Sequence, residues 1–335
     1  MKCLVTGAAG FIGMYTCLSL LNKKIKVIGV DNLNSYYDKN LKLDRVKNLK
    51  KKKNFTFIKS DISDFNKLKK IFKNIKPQYV INLAAQAGVR NSIKNPSDYT
   101  RSNLVGFANI LECCKLFNVK HLVYASSSSV YGGNRKMPFS EDDSVNHPVS
   151  LYGATKKCNE LLAHTYSHVY NLSCTGLRFF TVYGPWGRPD MALFLFTKAI
   201  LEKKPIKLFN KGQMIRDFTY VDDIVESMFR LLDKPPFPND KFNKLDPLPS
   251  ESWAPYRIFN IGNSSPIPLF DYISALEKSL NLTSEKIYLE MQPGDVKVTS
   301  ADTSELEKWI EFKPYTPIQE GIDKFVTWYR DFYKM

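Results

Sequence analysis

The chain has 335 residues, of which 44% are hydrophobic, so it is long enough to bury a large core and too apolar for an intrinsically disordered protein. Its formal net charge of +15 would suit a nucleic-acid or membrane partner. The lysines are spread along the chain, however, and the one dense run, 50–53, lies in a polar stretch that predicts a solvated loop. We therefore expect no nucleic-acid and no membrane partner, and a surface that favours polyanionic ligands such as nucleotide diphosphates.

The cysteines and the first residues predict a cytoplasmic protein. None of the six cysteines stands in a CxxC motif or in a metal-like pairing with a histidine, which predicts reduced, mostly buried thiols and no metal site. The apolar segment 3–21 is interrupted by glycines and preceded only by Lys2, so it predicts a strand, a turn and a helix rather than a signal peptide. No run reaches the roughly 18 apolar residues that a membrane span needs.

The first half of the chain alternates short apolar runs with helical stretches. This alternation predicts an α/β fold with a doubly wound, Rossmann-type parallel sheet and right-handed crossovers. The expected strands are residues 2–6, 26–31, 56–60, 79–83, 121–126 and 173–178. The expected helices are residues 11–22, 65–74, 96–117 and 150–171.

The second half of the chain is less regular and rich in proline. We expect residues 1–178 to form the Rossmann-type domain and residues 179–335 to form mainly a smaller, mixed α/β C-terminal lobe that binds the substrate. Parts of residues 213–233 and 256–268 are expected to return to the first domain. Residues 235–255 predict a long surface loop, and residues 269–280 and 318–333 predict helices.

A glycine-rich turn joins the first strand to the first helix. Gly7, Gly10 and Gly13 form a GxxGxxG pattern, in which glycine lets the backbone turn tightly against a pyrophosphate and the helix offers free N–H groups. Asp31 ends the next strand, where a carboxylate accepts hydrogen bonds from a ribose diol and repels a 2′-phosphate. The pattern therefore predicts NAD rather than NADP. Asp61 follows the third strand, where it would either contact the adenine or cap the next helix.

A tyrosine and a lysine four residues apart form the second motif. Tyr152 and Lys156 share one helix face, and a phenol, whose ordinary pKa is about 10, becomes a useful base when an ammonium and an oxidised nicotinamide lower that value. Ser127 ends the fifth strand, at the edge where open α/β sheets bind ligands, and would pass a proton to Tyr152. Alone, a YxxxK pair is more often an ordinary amphipathic face and a serine run a polar turn. The glycine turn, the acidic end of the second strand, the serines after the fifth strand and the YxxxK pair follow one another in the expected order. That order favours the catalytic interpretation.

These motifs resemble the NAD-dependent epimerase/dehydratase family of the extended short-chain dehydrogenase/reductase superfamily, and within it the UDP-glucuronate 4-epimerases. VDNLNSYYD and GPWGRPDMA are the runs most typical of that subfamily. The matching segments cover nearly the whole chain: LVTGAAGFIG (4–13), VDNLNSYYD (30–38), NLAAQAGVRNS (82–92), YASSSSVYG (124–132), HPVSLYGATK (147–156), LRFFTVYGPWGRPDMA (177–192), IRDFTYVDDI (215–224), APYRIFNIGN (254–263) and QPGDV (292–296).

The resemblance implies an isomerase that converts UDP-glucuronate to UDP-galacturonate through a 4-keto intermediate, with a role in polysaccharide biosynthesis. It implies Tyr152 and Lys156 as the active pair and Ser127 as their hydroxyl partner. The residues that it assigns to NAD are Gly7, Gly10, Phe11, Ile12, Gly13, Asp31, Asn32, Asp61, Ile62, Leu83, Ala84, Ala85, Asn103, Tyr152 and Lys156. The residues that it assigns to the UDP-sugar are Ser127, with Ser128, Ser129 and Thr181 near the sugar carboxylate, Arg188 on a mobile loop, and Arg216 and Asp295 at the uridine diphosphate.

Two positions distinguish the chain from related enzymes. Ser128 and Ser129 stand where the related 4,6-dehydratases carry an Asp-Glu pair, directly after the active hydroxyl residue. Ser129 also stands where the related UDP-glucuronate decarboxylases usually carry a glutamate. Without those carboxylates, oxidation and re-reduction at one carbon is the expected chemistry. The chain departs from the family at Asn82, where histidine is usual, and at Gly153, where alanine is frequent.

Three questions stay open at this point. An epimerase of UDP-glucose or UDP-N-acetylglucosamine would share every catalytic residue, and a non-catalytic NAD-binding protein is an alternative of another class. The superfamily implies a homodimer built from two helices, here residues 102–117 and 150–171. Their apolar side chains contact either the partner or the sheet of their own subunit: Leu104, Phe107, Leu111, Leu161 and Leu162.

Overall fold

The computed structural model of the protein describes residues 1–292 and 294–335. Its strands are β1 (Lys2–Thr6), β2 (Lys26–Asp31), β3 (Phe55–Lys59), β4 (Tyr79–Asn82), β5 (His121–Ser127), β6 (Cys174–Phe179), β7 (Thr181–Tyr183), β8 (Ile206–Leu208), β9 (Ile215–Tyr220), β10 (Tyr256–Ile261), β11 (Pro266–Pro268) and β12 (Lys286–Tyr288). Its α-helices are α1 (Phe11–Asn22), α2 (Lys39–Lys50), α3 (Phe65–Ile75), α4 (Val89–Lys94), α5 (Pro96–Tyr99), α6 (Gly106–Leu116), α7 (Leu151–Tyr170), α8 (Ala192–Leu201), α9 (Val221–Leu232), α10 (Leu269–Leu280), α11 (Ser304–Ile310) and α12 (Ile318–Tyr333).

The main sheet is parallel and covered by helices on both faces. Its strand order is β10-β6-β5-β4-β1-β2-β3, and every neighbouring pair is parallel. Alternate side chains enter opposite layers, so that Val5 packs with α1, α9 and α11 while Leu4 packs with α3, α6 and α7. The predicted doubly wound, Rossmann-type sheet is confirmed. The order in which successive strands are added to the sheet reverses between β1 and β4, and folds of this type bind ligands at the carboxyl ends of the strands beside such a point.

A smaller mixed lobe lies beyond the carboxyl ends of these strands. It contains the sheet β11-β9-β7 and the parallel pair β12-β8. Helices α8, α10 and α12 pack around an aromatic core in which Phe218 stacks on Tyr272 at 4.0 Å between ring centroids. Residues 235–255 contain no α-helix and no strand, as their prolines predict. Within the described residues, no helix is long and apolar enough to cross a membrane.

The structure differs from the predicted elements at several points, of which the main ones follow. Lys50 ends α2, a helix that the sequence analysis missed, so only residues 51–53 of the basic run form the expected exposed turn. The predicted helix 96–117 is divided by a π-helical turn, Thr100–Val105, between α5 and α6. The strands β3 and β6 lie one residue away from their predicted positions.

Candidate active site

A cleft of about 1140 Å³ lies between the main sheet and the smaller lobe. Both parts of the chain line it: the glycine turn and the ends of β2, β4 and β5 on one side, and β7, β9 and the N-terminal end of α8 on the other. Every predicted site residue except Asn103 lies on its wall. Residues that are more than a hundred positions apart in the sequence therefore meet around one volume that can hold a small-molecule ligand.

The glycine turn forms a cradle whose backbone is packed too closely for side chains at Gly7 and Gly10. Gly7 has a φ of +70°, and a Cβ atom there would lie 2.8 Å from the backbone nitrogen of Ala84. A Cβ atom at Gly10 would lie 2.9 Å from the carbonyl oxygen of Gly7. Helix α1 begins at Phe11 without a side-chain cap, so its first N–H groups are available to a ligand. These features fit the pyrophosphate of a dinucleotide such as NAD.

Asp31 lies at the end of β2 with both carboxylate oxygens already hydrogen-bonded. Its Oδ1 accepts from the Leu33 N–H at 2.8 Å and its Oδ2 from the Ala9 N–H at 3.1 Å. Burial raises the pKa of Asp31, while these N–H groups and the Lys42 charge oppose the rise. Each oxygen retains a second lone pair, which is what a ribose diol requires.

Asp61 follows β3, the strand paired with β2, and is not a helix cap. It accepts hydrogen bonds from the Asn32 amide at 3.0 Å and from the N–H and hydroxyl of Ser63 at 2.9 and 2.8 Å. Helix α3 is capped by Asp64, whose Oδ1 accepts from the Lys67 N–H. The helix-capping alternative for Asp61 is therefore wrong, and its carboxylate is part of the cleft wall together with Ile62.

Tyr152 and Lys156 lie in the first two turns of α7, which begins after the Ser150 cap. Burial lowers the pKa of Lys156 to about 8, and its Nζ atom donates to the Ala125 carbonyl at 2.8 Å. Burial also raises the pKa of Tyr152, and the groups that oppose this rise are the Ser127 hydroxyl and the Arg188 guanidinium. Arg188 thus supplies a charge that favours the phenolate, and the expectation that the Lys156 ammonium also lowers the pKa of Tyr152 stays a prediction.

The serine run turns sharply where β5 ends. The Ser127 hydroxyl donates to Ser129 Oγ and accepts from the Ser129 N–H, both at 3.2 Å, and a 3₁₀ turn carries Ser128–Tyr131. Thr181, at the start of β7, lies on the same cleft wall. The structure therefore groups several neutral hydroxyls at this end of the cleft.

Arg188 is held in place by two residues that the sequence analysis did not single out. Its Nε atom donates to Asp190 Oδ1 at 3.0 Å, and the guanidinium lies 5.7 Å from the centre of the Tyr36 ring. The Tyr36 hydroxyl donates to Asp190 Oδ2 at 3.1 Å. Both residues lie within VDNLNSYYD and GPWGRPDMA, the two subfamily-specific runs, which is the signal that could have identified them.

The far end of the cleft carries two arginines. Arg216 donates to the carbonyls of Val296 and Lys297 at 2.6 and 3.0 Å. Arg90, which the sequence analysis missed, forms an ion pair with Asp295 at 2.7 Å. Pro293, in the QPGDV motif, lies outside the described residues. The two guanidinium groups suit a diphosphate.

Asn103 lies behind the cleft rather than on its wall. It is 1% exposed in the π-helical turn, and its amide donates to Gln86 O and Thr155 Oγ1, both at 3.0 Å, while its oxygen accepts from the Gln86 N–H at 2.8 Å. Gln86 itself lines the cleft. Because Asn103 uses its side chain to hold that loop against α7, any effect it has on a ligand passes through Gln86.

The unusual Asn82 is accommodated by a local hydrogen bond. Its Oδ1 atom accepts from the Thr6 hydroxyl at 2.6 Å, and the same hydroxyl accepts from the Ala84 N–H at 3.1 Å. Asparagine therefore ties β4 to β1 beside the glycine turn.

Comparison with known proteins agrees with this geometry. Residues 3–244 match the model of the NAD dependent epimerase/dehydratase family. The chain belongs to this family. It is 55% identical over 334 residues to Protein CapI of Staphylococcus aureus, covering 100% of both chains, and 48% identical to UDP-glucuronate 4-epimerase 4 of Arabidopsis thaliana, covering 98% of this chain and 75% of that one. Among solved structures it resembles UDP-glucuronic acid 4-epimerase from Bacillus cereus in complex with UDP-glucuronic acid and NAD, with a TM-score of 0.88, 34% identity and coverage of 99% and 100%.

Proposed function

We propose that this protein is an NAD-dependent 4-epimerase that interconverts UDP-glucuronate and UDP-galacturonate. The observation that carries the proposal is that one cleft contains the glycine cradle, the Tyr152–Lys156 pair and Ser127, while serines rather than carboxylates follow Ser127. A base and a hydride acceptor suffice to oxidise one carbon, whereas an elimination of water needs further acid–base groups at the neighbouring carbons. The names of the Arabidopsis and Bacillus relatives support the same substrate.

The first half of the proposed reaction is an oxidation at C4. The glycine cradle would hold NAD, whose chemistry would be to take up a hydride from C4 and give it back. Tyr152 takes the proton of the C4 hydroxyl, directly or through Ser127, and the C4–O bond becomes a carbonyl. The Arg188 charge assists because it lowers the pKa of Tyr152. Lys156, held at the Ala125 carbonyl, is placed one helical turn further along to hold the nicotinamide ribose.

The second half requires the sugar to turn while the nucleotide stays bound. Arg90 and Arg216 hold the diphosphate, so most of the binding energy is independent of which face the 4-keto sugar presents. The hydride then returns to the opposite face, and Tyr152 gives its proton back to the C4 oxygen. The products contain the same atoms as the substrate, with the configuration at C4 inverted.

The serine cluster is proposed to protect the intermediate. Oxidation of a glucuronate at C4 gives a β-keto acid, which loses carbon dioxide when its carboxylate bond aligns with the carbonyl π system. Hydroxyls from Ser128, Ser129 and Thr181 would bind the carboxylate away from that alignment. This arrangement favours an acidic sugar over the neutral hexoses that the sequence left as an alternative.

The assembly and domain organisation are also proposals. We propose a homodimer through residues 102–117 and α7, because Val105 and Leu161 are 47% and 58% exposed, whereas Phe107 and Leu111 are buried in the core of their own subunit. Leu161→Glu should then convert a dimer into a monomer in sedimentation velocity. We further propose a cytoplasmic protein with residues 1–178 binding NAD and residues 179–335 mainly binding the nucleotide sugar, supplying polysaccharide biosynthesis.

One assay tests the proposal against both alternatives. Purified protein is incubated in parallel with UDP-glucuronate, UDP-glucose and UDP-N-acetylglucosamine, without added reductant, and the products are resolved by NMR. We expect UDP-galacturonate from the first and little conversion of the others. Preferred conversion of a neutral hexose would favour the first alternative, and NAD binding without any conversion would favour the second.

A further inference from the structure

Glu160 lies on the same face of α7 as the two residues of the YxxxK pair. Residues 152, 156 and 160 follow one another at four-residue spacing, so their side chains share one helix face. Glu160 is 1% exposed, and the proposed reaction has no acid–base role for it. A carboxylate buried this deeply requires partners that justify its position.

The carboxylate joins α7 to two strands of the main sheet. Its Oε1 accepts from the Ser126 hydroxyl at 2.7 Å and from Arg178 Nε at 2.9 Å, and its Oε2 accepts from Arg178 Nη2 at 3.1 Å. Ser126 on β5 and Arg178 on β6 are direct partners in the parallel register. Three elements therefore meet at one side chain, and Arg178 and Ser126 are 0% and 2% exposed.

The pair is charged and fully engaged. Burial works against the charge of Glu160, but Arg178, Lys157 and the Ser126 hydroxyl hold the pKa of Glu160 below its ordinary value. The Nη1 atom of Arg178 donates to the Tyr131 hydroxyl at 3.0 Å and to the Glu141 carbonyl at 3.1 Å. An apolar pair of similar size is often as stable as a buried ion pair. We therefore attribute to the Glu160–Arg178 pair a fixed geometry rather than added stability.

That geometry is the register between α7 and the end of β5. Ala125 holds the Lys156 ammonium, Ser126 bonds Glu160, and Ser127 lies next along the strand, with a hydroxyl that acts on Tyr152. Two consecutive strand residues thus bond two residues of one helix face, and the third, Ser127, lines the same cleft as Tyr152. A slip of this contact would move Ser127 relative to Tyr152 without touching the arginines that bind the diphosphate.

We propose that Glu160 is a positioning residue that sets the distance between Ser127 and Tyr152 by locking α7 to Ser126 and Arg178. The inference rests on the proposed function, because it assigns these two residues to one proton transfer. A misplacement of about 1 Å can reduce a rate on the order of 100-fold. Loss of the Glu160 contacts should therefore lower kcat and leave nucleotide affinity unchanged.

The test compares Glu160→Gln with Asp223→Asn, a matched control. Asp223 is also a buried helix carboxylate, 4% exposed, but it accepts from the N–H groups of Tyr315 and Thr316, away from α7. For E160Q we expect kcat to fall about 10- to 100-fold, with KM for UDP-glucuronate and Kd for UDP within about twofold of wild type. The acidic limb of the kcat profile should move to higher pH, because Ser127 would lower the pKa of Tyr152 less. D223N should lose thermal stability but keep kcat and the pH profile.

A milder variant keeps the inference falsifiable if E160Q does not fold. Ser126→Ala removes a single donor to Glu160 and should reduce kcat about threefold or more, again without a change in UDP binding. An unchanged kcat and pH profile in either folded variant, or an equal loss of kcat in D223N, would overturn the inference. Wild type measured in parallel separates the two proposals: if it does not epimerise UDP-glucuronate, the function fails, and if it does while the variants match it, only the positioning role fails.

Discussion

The Nζ atom of Lys156 lies 2.8 Å from the carbonyl oxygen of Ala125 and donates a hydrogen bond to it. The lysine is 2% exposed, and burial lowers its pKa to about 8. The ammonium is thus held by a strand carbonyl in surroundings that disfavour its charge. Burying the ammonium costs stability, which agrees with its proposed role in holding a bound dinucleotide.

Replacing Lys156 by methionine should reveal this through the pH dependence of folding. The unfolded lysine keeps its proton up to a pKa near 10.5, whereas the folded one releases it near 8, so between these values the unfolded state binds more protons. Stability of wild type relative to Lys156→Met should therefore rise with pH across that window, by about 1 kcal/mol per pH unit. Urea unfolding of both proteins at about pH 7 and pH 9 measures the change. A difference that does not vary with pH would argue against a buried, shifted ammonium.

Tyr152→Phe should separate binding from chemistry. The phenylalanine keeps the ring but cannot take a proton, so kcat should fall about 1000-fold or more while Kd for NAD and for UDP stays within about twofold. Isothermal titration and a coupled product assay measure the two quantities. Tyr315→Phe, at a position 75% exposed, is the control and should match wild type. Retained epimerisation in Tyr152→Phe would refute the assigned base.

Arg188→Gln should change the pH profile more than nucleotide affinity. Burial raises the pKa of Tyr152, and Arg188 is one of the two groups that lower it. Without that charge the phenol loses its proton only at higher pH, so the acidic limb of the kcat profile should move toward higher pH. Arg135→Gln, which replaces an exposed arginine outside the cleft, should leave the limb in place. An identical limb in both variants would show that Arg188 does not tune Tyr152.

Ser129→Glu should increase the loss of carbon dioxide during turnover. The serine exchanges hydrogen bonds with Ser127 at 3.2 Å, so a carboxylate there would repel the substrate carboxylate from the hydroxyl cluster. We expect a several-fold larger fraction of UDP-pentose, measured by NMR. Thr283→Glu adds the same charge at an exposed site outside the cleft and should leave the product ratio unchanged. Equal ratios in the two variants would contradict the protective role of the serines.

The sequence predicts the bounds of β1, α1 and β2 to the residue. The apolar runs of the two strands and the glycine turn between β1 and α1 all favour the same structure. It does not predict α2, since the buried face of that helix includes Lys42 and Arg45 and so lacks an apolar period. Arg45 is fully buried and donates to the carbonyls of Ala9, Trp186 and Gly187. These partners lie 36 or more positions away, so only the folded chain explains the burial of this charge.

The sequence predicts those site residues whose placement depends only on their position within one helix or strand. Tyr152 and Lys156 share a helix face, and Asp31 ends a strand, so their placement follows from local periodicity. The roles of Asn103 and Arg188 depend on contacts between distant segments: the π-helical turn directs Asn103 to Gln86, and the Asp190–Tyr36 contact holds Arg188. No periodic pattern records such contacts.

The measurement that tests the central claim most directly follows an isotope at one carbon. UDP-glucuronate carrying deuterium at C4 is converted by the purified protein in ordinary water, and the UDP-galacturonate formed is examined by NMR and mass spectrometry. Removal and return of the same hydride predicts that the deuterium stays at C4 of the product. Product with protium at C4 would mean that the hydrogen exchanges with water, and would contradict inversion by oxidation and re-reduction of that carbon.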